Sequence, residues 1–403
     1  MSPTHLKVAE VSASRPDGIQ VARAVREVEP YKAVSSLDEI HQRPAQLPHK
    51  LDWNEATVPP SPKVIEAISA FLGNMHHLNW YPVLNSTNLI ERLAAFYGVP
   101  GDRLLITNGS DDALDTVCKT YLDPGDPVLV ASPTYQHFLV FAQARGAEIV
   151  HHYAPDPFTK DVAGLKAALE QIQPRVFYLV NPNNPTGVLY DADEVATLLA
   201  AAPKTLVIVD EAYSEFAGRT ALHLLDTYSN LVVTRTFSKA YAMAGLRIGY
   251  CFGHEQTIQD LRRVFNPKSV NVLAQIGAMA ALADQDYLKA YVAEVDASKR
   301  IMAQWFESRG FTFRWTPANY VMVRFDRAPW VVRLLREAGV YVRDRSQISH
   351  LPGYVRFSVG TVEQTLDVLQ RLEIALERLR GDVTLAVPRR AWIPPGPGGP
   401  SSL

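Results

Sequence analysis

Cysteine is nearly absent from the chain: Cys118 and Cys251 are the two in 403 residues, and they sit in unrelated contexts. A disulfide framework needs several paired cysteines and a thiolate metal site needs clustered ones, so neither is expected. Net charge is equally scarce. Lys and Arg number 40 against 42 Asp and Glu, a formal charge of -2, which offers no electrostatic footprint for nucleic acid or an acidic membrane surface. No run reaches the roughly 20 apolar residues that span a bilayer. The opening MSPTHLKVAEVSASRPDG lacks the apolar core of a signal peptide, so a cytoplasmic globular protein is the default. His76-His77 and His151-His152 are adjacent pairs, and neighbours on a strand or helix point apart, so no metal site is expected.

What the chain does contain is alternation. Between Leu104 and Phe252, seven short runs rich in β-branched residues alternate with helical patterns: LLIT, VLVA, EIVHH, VFYLV, TLVIV, LVVTRT and IGYCF. Strands buried on both faces read this way, and the intervening helices imply an α/β fold with a mostly parallel seven-stranded sheet. After Tyr287 a long helical stretch precedes four further strand-like runs, FTFRW, ANYVMVRF, GVYVRD and YVRFSVG. A last helix then carries Val362, Leu366, Leu369, Leu372, Leu376 and Leu379 at spacings of three and four. The expected organisation is a polar extension over 1–28 and an N-terminal segment over 29–74 that packs with a small domain and the mouth of a site. A large domain over 75–285, a smaller C-terminal α/β domain over 286–385 and a Pro/Gly-rich tail over 386–403 follow.

Three motifs lie just after expected strands, the edge of an open α/β sheet where ligands bind. They are NPNNPTG from Asn181, DEAYSEF from Asp210 and TRTFSKAYAMAGLRIGY, which contains Lys239. Alone each is ordinary: an Asn/Pro/Gly cluster makes turns, an Asp at a strand end caps a helix, and a lone lysine faces water. Together they form a chemical set. Pyridoxal phosphate needs an amine for covalent attachment and a carboxylate to keep its ring nitrogen protonated. It also needs donors for its phenolic oxygen and a cradle for its phosphate. Lys239, Asp210, the pair Asn184 and Tyr213, and Ser238 with Arg247 supply these in turn. NGSDDALD follows LLIT and should open a helix whose N-terminal amides favour an anion. PTYQHF offers Tyr135 as a flat partner for the ring.

The ordered series GSDDALD, SPTYQ, NPNNPTG, DEAYSEF and TFSKAYAMAGLRIGY resembles the aminotransferases of fold type I, and within them the histidinol-phosphate aminotransferase subgroup. The resemblance runs from about Pro30 to the last helix. It implies that Lys239 carries the cofactor and shuttles the proton, that Asp210 pairs the ring nitrogen, and that Asn184 and Tyr213 bind the phenolic oxygen. It further implies that Tyr135 stacks on the ring and that Ser110, Asp111, Thr236, Ser238 and Arg247 surround the phosphate. Tyr81, in WYP, matches a tyrosine that reaches the phosphate of the neighbouring subunit, so a homodimer with shared sites is implied. Arg356 matches the arginine that grips a substrate acid group. Asn54 and Tyr31 match positions at the site mouth. Arg343 is a candidate second anion contact, with a surface ion pair to an acid such as Asp344 as the alternative.

Two departures fall near the mouth. The early segment reads NEATVPPS where the family usually has NENPxGPS, and Trp80 stands where the family has Arg before Tyr-Pro. Both leave the cofactor set intact and leave the substrate open. The reaction expected is transfer of an amino group between an amino acid, or an amino-alcohol phosphate such as histidinol phosphate, and a 2-oxo acid. The alternative on the same scaffold is a decarboxylase, lyase or cyclase acting on an amino acid.

Overall fold

In the computed structural model, which describes residues 21–26, 28, 35, 40, 48–73 and 78–381, twelve strands form two sheets. Strand β1 (His49–Leu51) comes first. Then come β2 (Leu104–Thr107), β3 (Pro127–Ser132), β4 (Glu148–Tyr153), β5 (Val176–Val180), β6 (Leu206–Asp210), β7 (Leu231–Thr236) and β8 (Gly249–Gly253). The last four are β9 (Phe313–Arg314), β10 (Tyr320–Arg324), β11 (Val340–Asp344) and β12 (Tyr354–Ser358). All seven β-branched runs between Leu104 and Phe252 are strands, and they form one sheet in the order β2-β8-β7-β6-β5-β3-β4. Its neighbours are parallel except around β8, which runs antiparallel to both β2 and β7. The mixed α/β fold with a mostly parallel seven-stranded sheet is therefore as the alternation implied.

Side chains alternate across this sheet, so each strand feeds two apolar layers. Leu129, Phe177, Leu179, Val207, Val209 and Val233 face one layer. Val128, Val130, Tyr178, Val180, Ile208 and Val232 face the other, under the helices Ser110–Tyr121 and Gln136–Ala144. Each fully buried aliphatic side chain contributes about 1.5–3 kcal/mol, so both layers stabilise the sheet. Edge strand β4 is only partly covered, and it carries His151 and His152. Their rings serve different partners, Ser132 Oγ at 2.7 Å and Asp161 at 2.8 Å. Pair His76-His77 lies outside the described residues.

The second sheet has the order β1-β11-β12-β10-β9. Its core joins Val321, Val323, Val340, Val342, Val355 and Phe357 to Trp305 and Phe306 of the long helix Gln285–Glu307 and to Leu369 and Leu372 of the helix Val362–Gly381. Strand β1 pairs parallel to β11, His49 opposite Val340, so the chain before residue 52 adds the edge of the small sheet. The next helix, Pro62–Leu72, goes the other way. Val64 is fully buried in the large-domain core with Ala274 and Ala278 of the helix Val272–Leu282, and a side chain at Gly277 would come within 3.3 Å of Val64. Within the expected 29–74 segment, the described residues 48–73 divide their apolar contacts between both domains, Leu51 in the small-domain core and Val64 in the large-domain core. Among the described residues no helix is long and apolar enough to cross a membrane. Residues 1–20 and 27 of the polar extension, Tyr31 and the Pro/Gly-rich tail lie outside the described residues.

Candidate active site

A cavity of about 530 Å³ opens at the carboxyl ends of the large-sheet strands and is closed on its far side by β11 and β12 of the small sheet. Strand β6 delivers Asp210 to its floor as its final residue. The carboxylate is buried and accepts from the Tyr178 hydroxyl at 2.8 Å and from Thr234 Oγ1 at 3.0 Å. Removal from water raises its pKa to about 6 in spite of those two donors. A buried acid whose described hydrogen bonds come from neutral groups is suited to a cationic N–H from a ligand.

Lys239 follows β7 by three residues, and its Nζ donates to the Trp53 carbonyl at 2.9 Å. Burial, followed by the nearby Arg356 guanidinium, lowers the amine pKa to about 8. Such an amine is partly neutral near physiological pH and is nucleophilic. Its Nζ lies 6.0 Å from the centroid of the Tyr213 ring. Tyr213, three residues after β6 ends at Asp210, is buried, and its hydroxyl accepts from Asn54 Nδ2 at 2.9 Å.

One corner of the cavity is shaped for an oxyanion. The helix Ser110–Tyr121 starts there with its free amides. Gly109, at φ 84°, precedes it, and a Cβ there would lie 2.6 Å from Arg247 Nη2. Gly249 is required for a second reason: its Cβ would lie 2.5 Å from Ser110 N. Both glycines let Arg247 and β8 close on the helix terminus. Arg247 Nη2 meets Asp111 Oδ2 at 3.4 Å, Tyr135 donates to Asp111 Oδ1 at 3.0 Å, and Thr236 Oγ1 donates to Ser238 Oγ at 2.9 Å.

The opposite wall is basic. Arg356, on β12, is buried and sits across from Arg343 on β11 in register. Its Nη1 donates to Asn184 Oδ1 at 2.6 Å and its Nη2 to the Asp52 carbonyl, while its buried Nε has no partner among the described residues. Arg345 lines the same wall. Arg356 and Arg343 repel each other on this wall, which an anionic ligand relieves.

Lys239, Asp210, Tyr213, Asn184, Tyr135, Ser110, Asp111, Thr236, Ser238, Arg247, Arg356 and Arg343 are thus brought to one cavity. Two of the expected residues are not, and a third is not described. Asn54 is fully buried, with its side chain turned to Tyr213 and Ser358 and away from the cavity wall. Tyr81 is 79% exposed on the surface beside Lys268. Tyr31 lies outside the described residues. Sequence reasoning missed Tyr178, Trp53, Glu55 and Arg345. The Tyr178 phenol inside a wholly apolar strand was a signal, and so was the Arg343-x-Arg345 spacing, which returns to one side of an extended chain. Trp53 had none, because it contributes a backbone carbonyl.

The cavity fits pyridoxal phosphate: an amine, a buried acid with neutral donors, an oxyanion corner and an unpartnered guanidinium nitrogen surround one space of suitable size. The family model described as aminotransferase class I and II matches residues 49–372. A dihydroxyacetone phosphate transaminase of Campylobacter jejuni is 35% identical over 329 residues, covering 80% of this chain and 89% of that one. A histidinol-phosphate aminotransferase of Symbiobacterium thermophilum is 34% identical over 362 residues, covering 88% of this chain and 98% of that one. Among solved structures, histidinol-phosphate aminotransferase of Sinorhizobium meliloti in complex with pyridoxal-5'-phosphate superposes with a TM-score of 0.82 at 26% identity. That match covers 90% of this chain and 99% of that one.

Proposed function

The chain belongs to the aminotransferase class I and II family, is a pyridoxal-phosphate enzyme, and we propose that it moves an amino group between a substrate with an acidic end and a 2-oxo acid. The acidic end is the carboxylate of an amino acid or the phosphate of an amino-alcohol phosphate. When bound, pyridoxal phosphate supplies an aldehyde for a lysine amine and a ring that withdraws electrons from the carbon bearing the substrate nitrogen.

In this reading Lys239 Nζ holds the cofactor and afterwards takes and returns the substrate proton. A pKa near 8 suits both directions of that transfer. Asp210 keeps the ring nitrogen protonated. Asn184 and Tyr213 donate to the phenolic oxygen. Ser110, Asp111, Thr236, Ser238 and Arg247 hold the phosphate, and Tyr135 covers one face of the ring. Arg356 and Arg343 bind and orient the acidic end, which fixes the reacting carbon against Lys239. The observation that carries the reading is that Lys239 and Asp210 face one cavity from the ends of two adjacent parallel strands, with Arg356 opposite them.

A homodimer with shared sites is part of the proposal. Leu78, Trp80, Tyr81, Val83 and Leu84 are all exposed, a contiguous apolar stretch of the kind that marks an interface. The direct test is a donor screen on purified holoenzyme that follows the cofactor spectrum and identifies products by mass spectrometry. An oxo product with an aminated acceptor supports the proposal; a decarboxylated, eliminated or cyclised product overturns it in favour of the alternative chemistry.

A further inference from the structure

Asn54, hydrogen-bonded to Tyr213, has an environment too specific for mere packing. It is fully buried, and it holds φ 55°, a left-handed conformation uncommon for a residue with a side chain. Every polar atom of it is committed. Its backbone N–H donates to Ser358 Oγ at 2.9 Å and its carbonyl accepts from Asn319 Nδ2 at 3.1 Å. The Ser358 hydroxyl donates to Asn54 Oδ1 at 3.0 Å, and Asn54 Nδ2 donates to the Tyr213 hydroxyl at 2.9 Å.

The directions of these bonds matter. Ser358 has one hydroxyl proton, and with Oγ already accepting from the Asn54 backbone, that proton serves Oδ1. The amide nitrogen is left facing Tyr213. A phenol that accepts a hydrogen bond at this point turns its own proton elsewhere, and Tyr213 lines the cavity. We propose that Asn54 is a positioning residue that aims the Tyr213 hydroxyl proton into the cavity, and that β12, through Ser358, holds Asn54 in the orientation that does so. Strand β12 then governs both partners of the cofactor's phenolic oxygen, Tyr213 through Ser358 and Asn54, and Asn184 through Arg356, two residues earlier on the same strand. The inference rests on the cofactor reading of the cavity and assigns Asn54 a part distinct from contact with substrate.

The test reads the cofactor and not turnover. A donor on the phenolic oxygen stabilises its negative charge, so loss of that donor moves the pH midpoint of the visible absorbance of the bound cofactor upward. The charged groups facing Tyr213 are Lys239, Arg356, Arg345 and Asp210, and the substitutions used leave all of them in place. Asn54→Gly keeps the left-handed backbone and adds no charge. Its midpoint is expected to rise by about half to one pH unit. Tyr213→Phe is expected to rise at least as far, and the double variant no further than Tyr213→Phe alone, because Asn54 acts through that hydroxyl. Ser358→Ala, the milder change, shifts the same way by less. A wild-type midpoint in both Asn54→Gly and Ser358→Ala overturns the proposal, as do additive shifts in the double variant. If Asn54→Gly fails to fold, Ser358→Ala in the wild-type and Tyr213→Phe backgrounds decides by the same criterion. A wild-type protein that forms no visible band with pyridoxal phosphate sinks the cofactor reading itself, and this inference with it.

Discussion

Arg356 Nη1 and Asn184 Oδ1 are hydrogen-bonded at 2.6 Å, a link that joins the small sheet to the loop after β5. The guanidinium is thereby held at the cavity, and its Nε has no partner among the described residues. Arg356→Lys keeps the charge and loses both the fork and the bond to Asn184. Loss of a charge-assisted hydrogen bond costs roughly 1.5–3 kcal/mol, so kcat/KM is expected to fall about ten- to a hundredfold. Much of the change should lie in KM, because the acidic end is bound before and during chemistry. Steady-state kinetics of both half-reactions checks this; unchanged constants with every acidic substrate would remove Arg356 from the site.

Asp210→Asn should separate stability from activity. The carboxyl pKa is about 6 in the folded protein, above the ordinary value. The unfolded state therefore loses this proton first, and the group destabilises the apoprotein progressively as pH rises from about 4 to 6. An amide has no such charge to bury, so apo Asp210→Asn should melt higher than wild type at pH 7 and no higher at pH 4. Turnover should fall by several tenfold steps, each about 1.4 kcal/mol in barrier, because an amide cannot keep the ring nitrogen protonated. Calorimetry at the two pH values and single-turnover kinetics test the two halves independently.

For Lys239, a pKa of about 8 means that the reactive neutral amine makes up about a tenth of the population at pH 7 and about half at pH 8. The rate of cofactor attachment to apoprotein should rise about fivefold over that unit and level off above pH 9. A rate that keeps climbing tenfold per unit to pH 10 would mean an unperturbed lysine. Borohydride reduction with peptide mapping should place the pyridoxyl label on Lys239, and Lys239→Ala should carry none.

Shared sites can be examined by complementation. Lys239→Ala and Tyr81→Ala subunits, each inactive alone, should regain part of the wild-type activity when mixed, since one site of each heterodimer is intact. Verified heterodimers without rescue would exclude the shared site.

The strands were legible because burial on both faces leaves a simple trace: a run such as VFYLV or TLVIV has no other way to satisfy its side chains. Residues at those strand ends were legible as chemistry because Asp210 ends β6 while Asn184 and Lys239 follow β5 and β7, all at one edge of the sheet. The helix Pro62–Leu72 was not. Its apolar stripe identifies a helix but not which of two cores it enters, and that depends on the close approach at Gly277. Asn54 was legible as a position and not as a direction, since the side chain's partner Ser358 is 304 residues away. Trp53 could not be found at all, because a carbonyl carries no residue-specific signal.

The divided allegiance of residues 49–72 has a mechanical consequence. Among the described residues the chain crosses between the two sheets in two places: the stretch from β1 to the helix Pro62–Leu72, and the long helix Gln285–Glu307. A body fastened at two points is restricted to turning about the line that joins them. The first fastening contains Asp52, Trp53 and Asn54, which touch Arg356, Lys239 and Tyr213. Any rotation of the small domain is therefore felt by all three side chains together, and a graft that alters this short stretch to change substrate range will alter the pivot as well.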